Sequence, residues 1–132
     1  MFDMQAYLDG IGAKAQRERS KTQMTLGGLI AALKAMPPDA VVANIGHPMS
    51  YRGYYSDLAF ERGEGTRPAA DLLAEASGCM GRVFEGYKGG DYQMGETTPL
   101  WIAEYGNCGD RLMAIRAGGE IETSPEPEWG AT

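Results

Sequence analysis

RVFEGYKGGDYQMGETTPLWIAEYGNCGDRLMAIRA, residues 82–117, holds four strand-like runs with no helical period between them. RVFEGYK, DYQM, PLWIAEYG and DRLMAIRA each carry aromatic or β-branched residues between glycine-rich breaks. Gly89-Gly90 is a natural two-residue hairpin turn, which sets Lys88 opposite Asp91 and Tyr87 opposite Tyr92. Upstream, Thr66 and Pro68 open a helix in RPAADLLAEAS, with Gly78 as its C-cap. Before that, VVANI (Val41–Ile45) and LAFE (Leu58–Glu61) read as short strands either side of GHPMSYRGYYSD. Thr25 caps LGGLIAALKAM, whose Leu26, Leu29, Ile30 and Leu33 form one stripe, and MPPDA ends it. Residues 2 to about 19 place Tyr7, Leu8, Ile11 and Ala15 at helical spacing, and QRERSKTQ follows as a polar connection. The order α-α-β-β-α-β-β-β-β predicts an α+β fold, a mostly antiparallel sheet with two to three helices packed on it.

The chain of 132 residues is the size of one domain. Its 43% hydrophobic and 23% charged content marks a globular chain that can bury a core. One domain is expected over 1–118, followed by an acidic, disordered tail over 119–132. That tail holds four glutamates and no Lys or Arg, so the net charge of −6 leaves about −2 for the rest. A nearly balanced body excludes the broad basic face of a DNA- or RNA-coating protein. It still allows a compact anion, which two or three placed cations can bind. No apolar run reaches membrane-spanning length, and the N-terminus lacks the plan of a secretory signal, so a cytoplasmic protein is expected. Cys79 and Cys108 show no metal-site spacing and are expected as reduced thiols.

Catalysis has little to stand on. The one histidine, His47, sits beside proline in IGHPM, where a structural hydrogen bond is the plainer role than a base. No carboxylate cluster suggests a metal, and GYKGG lacks the spacing of a phosphate-binding loop that opens a helix. Glu61, Arg62 and Glu64 read as loop charges. Binding fares better. In SYRGYYSD (Ser50–Asp57), Arg52 offers a planar fork for phosphate, Tyr51 and Tyr54 offer stacking faces, and Gly53 lets backbone N–H groups approach. Tyr87, Lys88, Gly89 and Gly90 repeat those ingredients. The plain alternatives are a turn in which Arg52 pairs with Asp57, and a hairpin held by Lys88–Asp91. Arg111 and Arg116 flank the last strand with opposite parity, so both reach one ligand only if the strand bends or a second subunit supplies one.

In order, MTLGGLIAAL, SYRGYYSDLAFE, FEGYKGGDYQM and TPLWIAEYGN resemble small phage-encoded proteins that counter the Thoeris bacterial immune system, over roughly Thr22 to Ile115. The resemblance implies a molecular sponge that binds cyclic ADP-ribose isomers (glycocyclic ADP-ribose) and holds them uncleaved. It also implies a homo-oligomer built from dimers, with pockets at subunit boundaries, working without cofactor or metal in the host bacterial cytoplasm. Some members of that family also bind cyclic oligonucleotides, which makes these a second expected ligand class. By motif it carries over Arg52, Phe84, Tyr87, Lys88, Arg111 and Arg116. With Tyr51, Tyr54 and Asp91 these make the candidate ligand-binding set. The competing expectations are a small cyclic-nucleotide hydrolase using Asp57, Asp91 or His47, and a protein–protein inhibitor that uses the acidic tail.

Overall fold

Thr25 caps a helix as its position predicts: its hydroxyl accepts from the Gly28 N–H at the start of Leu26–Lys34, α2. Pro37 and Pro38 follow the helix within a turn, and the chain enters the sheet at Val41. The computed structural model describes residues 14–49, 57–85, 90–104 and 107–125, with the side chains of 104, 107 and 108 left aside. Its elements are α1 (residues 14–22), α2, β1 (Val41–Met49), β2 (Leu58–Pro68), α3 (Ala69–Cys79), β3 (Val83–Glu85), β4 (Asp91–Gln93), β5 (Leu100–Glu104), β6 (Asn107–Ile115) and β7 (Ile121–Ser124). The fold is α+β, a five-stranded sheet in the order β1-β2-β5-β6-β7 and a two-stranded sheet of β3 and β4. Its neighbours pair antiparallel except β2 and β5, which run parallel. The segment from α3 through β3 and β4 supplies the crossover which that parallel pair requires.

Alternation along β2 and β5 divides the buried residues between two faces. Leu58, Phe60, Leu100 and Ile102, with Leu112 of β6, meet Leu26, Leu29 and Leu33 of α2 and Leu72, Ala76 and Cys79 of α3. Fully burying a side chain such as Phe60 or Leu29 contributes roughly 1.5–3 kcal/mol. Ala59, Trp101 and Ala103 form a separate cluster on the other face. The chain changes face at Met24. Its N–H donates to the Leu112 carbonyl and its carbonyl accepts from the Leu100 N–H, so it lies between the start of β5 and the middle of β6.

Several expectations need correcting. Helix α1 continues through residue 22, where QRERSKTQ was expected to be a connection. Strands β1 and β2 run well beyond VVANI and LAFE, and Glu61, Arg62 and Glu64 lie on β2 rather than in a loop. Bulges between Ala43 and Ile45 and between Ile45 and Pro48 let β1 pass the sequence GHP, with Asn44 at φ 63° taking the left-handed position. An edge strand also tolerates the missing N–H of Pro48. Helix α3 runs past Gly78 to Cys79. In the small hairpin Phe84 faces Tyr92 and Glu85 faces Asp91, not the register expected from Gly89-Gly90. Buried Met94 fixes that register, its N–H bonded to the Arg82 carbonyl and its carbonyl to the Gly81 N–H. Finally, β7 occupies part of the expected tail and pairs with β6.

The β6–β7 turn also reaches back to β1, where the Ala43 N–H donates to the Gly119 carbonyl. Gly119 has φ 91°, and a Cβ there would stand 2.0 Å from the Val41 carbonyl oxygen. Gly119→Ala is therefore expected to destabilise the chain by at least about 2 kcal/mol, read as a lower urea midpoint.

Candidate functional site

Asp57 is the first described residue after the Tyr-Arg-Gly segment, and it is fully buried. Its carboxylate accepts from Arg19 Nε at 2.6 Å and Nη2 at 3.1 Å, from Trp101 Nε1 at 2.9 Å, and from Gln16 Nε2 at 3.2 Å. Gln16 and Arg19 are three residues apart on α1 and so share one side of that helix. The helix is thereby fixed over the face that carries Trp101. The expected alternative of Arg52 pairing with Asp57 involves a residue outside those described.

Arg111 lies directly across from Trp101 in the β5–β6 ladder and so belongs to the same face. The arginine is half-buried, and its Nη2 donates to Ser124 Oγ at 2.9 Å. Its Nε is closed off from water and meets no acceptor. The part of such a guanidinium that stays in contact with water suits an anionic oxygen brought by another molecule.

The parity conflict between Arg111 and Arg116 is resolved by a bulge. Pairs Arg111–Ser124 and Leu112–Thr123 give way to Ala114–Glu122, so Met113 is the extra residue. Beyond it Arg116 comes within 3.9 Å of Glu122, on the side that Ser124 shares, and stays largely exposed. The strand bends, as one of the two expected solutions requires.

Phe84 is half-buried against the α2–α3 core, beside Tyr92, with the Arg82 guanidinium 4.4 Å above its ring. In one chain the main sheet separates Phe84 from Arg111. Asp91 is exposed and faces Glu85, so this end of the hairpin pairs two acids, a setting better suited to ribose hydroxyls than to phosphate. Tyr51, Arg52, Tyr54, Tyr87 and Lys88 lie outside the described residues. The sequence reading missed Arg19, Arg82, Trp101 and Ser124 as site builders. Arg82 alone carried a local signal, since positions two apart on a strand share a face with Phe84.

His47, placed on β1 rather than in a turn, meets Glu75 of α3 through Nδ1 at 2.5 Å. Arg67 of β2 donates to the other carboxyl oxygen of Glu75 and to the Gly46 carbonyl. Burial raises the Glu75 carboxyl, but the His47 and Arg67 hydrogen bonds outweigh it, so the group ionises below its ordinary value. Cys79 is a buried free thiol, raised above its ordinary value by burial. Among the described residues no group of His, Cys, Asp and Glu could hold a metal ion, and no helix is long and apolar enough to cross a membrane.

Two outcomes are expected. Asp57→Ala leaves the Arg19 guanidinium buried without its partner and should cost about 3–5 kcal/mol in chemical denaturation. Glu75, with its lowered folded value, stabilises the fold above its unfolded value of 4.5, and this is lost as pH falls through the folded one. Urea midpoints from about pH 5 down to about pH 3 should therefore fall less steeply in Glu75→Gln than in the wild type.

Comparison with known proteins adds no relative: no family model matches the chain, and no curated protein and no solved structure matches it significantly.

Proposed function

We propose that this protein binds a small cyclic nucleotide of the glycocyclic ADP-ribose type and withholds it uncleaved, an anti-defence sponge acting on a Thoeris-type signal. The observation that carries this reading is Arg111, a half-buried cation oriented by the neutral hydroxyl of Ser124 rather than by a carboxylate. Asp57 on that face is bound to Arg19, and Glu122 stands 3.9 Å from Arg116, so neither carboxylate is paired with Arg111. Arg52 and Lys88 would add cations, and Tyr51, Tyr54, Tyr87 and Phe84 flat surfaces for adenine. Because the sheet stands between Phe84 and Arg111, a ligand touching both draws them from two chains. That agrees with a pocket built at a subunit boundary.

A hydrolase reading has one observation in its favour, the imidazole of His47 oriented by Glu75 with an exposed ring. Against it, Glu75 is shared with Arg67, and the Cys79 thiol one turn along α3 is buried and raised above its ordinary value.

Calorimetry with glycocyclic ADP-ribose, then chromatography of the ligand released by heat denaturation, separates the readings. Tight binding with intact ligand is expected. Linear fragments would transfer the function to His47, and no binding heat would sink the sponge reading. Arg52→Ala and Arg111→Ala should each weaken binding by about 2 kcal/mol, with the urea midpoint kept.

A further inference from the structure

Ser124 lies beyond every motif that suggested a ligand, in the acidic stretch expected to be a tail. The fold instead pairs it directly with Arg111. Its Oγ accepts from Nη2 of that arginine, and both side chains are half-buried. A guanidinium is a rigid plane on a long stem, so fixing one N–H fixes the direction of the others. What is thus directed is the remaining guanidinium edge of a side chain that is only half-buried. Ser124 also differs in kind from the other arginine anchor on this face. Asp57 neutralises Arg19, whereas a serine hydroxyl orients Arg111 and leaves its positive charge intact.

We propose that Ser124 is a positioning residue, which presents the Arg111 guanidinium to an anionic oxygen of the bound ligand, a phosphate oxygen by its chemistry. This rests on the ligand-binding reading above. It makes β7 part of the site's construction. A deletion of residues 119–132 would then remove the arginine's support together with the acidic end. Only a cut beyond Ser124 tests the acidic end alone.

The test uses the full chain, with glycocyclic ADP-ribose as the calorimetric probe and urea midpoints measured beside it. Ser124→Ala should weaken binding roughly tenfold while the midpoint stays close to wild type. Ser124→Thr, which keeps the hydroxyl and suits a strand, should restore affinity to within about twofold. Arg111→Ala combined with Ser124→Ala should bind no worse than Arg111→Ala alone, since the serine acts through the arginine. Wild-type affinity in Ser124→Ala would overturn the proposal and leave the ligand reading standing. So would independent, multiplying losses in the double variant, or a threonine variant that folds normally and still binds like the alanine one. A wild-type chain that gives no heat would overturn the ligand reading, and this proposal with it.

Discussion

The carboxylate of Asp57, buried and bonded by donors from α1 and β5, is the contact on which the second face of the sheet depends. Removing a carboxylate and a guanidinium from water is costly, and the bidentate geometry with added N–H donors is what offsets it. An apolar pair of similar volume could match that stability. It would not direct α1 to one place with one orientation. The same contact fixes where the chain re-enters β2 after the Tyr-Arg-Gly segment. It also neutralises Arg19, so Asp57 is not left to pair with Arg111.

The fold class was legible in the sequence because the elements that decide it carry local signals. The Thr25 cap, the Leu26–Leu29–Leu33 stripe and the runs around Trp101 and Leu112 all appear where spacing puts them. What escaped was set by contacts distant along the chain. The side of α1 that meets the sheet is Gln16 and Arg19, with Gln23 following to bond the Leu100 carbonyl, a polar stripe that a search for apolar periodicity passes over. Strand β1 crosses a Gly-His-Pro sequence because its bulges absorb the irregularity. The hairpin register follows buried Met94 rather than the glycine pair at the tip. Strand β7 reads as acidic tail because two of its four residues are polar hydroxyl types and one is a glutamate.

Of the candidate ligand residues, Arg111 meets Ser124, a contact that its charge alone could not have indicated. A one-residue bulge at Met113 turns an apparent conflict of parity into a shared side for Arg111 and Arg116. Phe84 stays with the helical face, where Arg82 adds a cation beside its ring. Under the proposed reading, a ligand that meets both Phe84 and Arg111 takes them from two chains.

The passage of Met24 between β5 and β6 has a consequence in time. Those strands lie some eighty residues downstream, so the gap they form cannot exist when the N-terminal helix leaves the ribosome. Those two hydrogen bonds of Met24 therefore form only after both helices have been made, as pairings of high sequence separation. Such late, long-range closure makes a slow step of the kind that mixed α and β topologies show. The anchoring of α1 on Asp57 likewise waits for a residue made well after the helix itself.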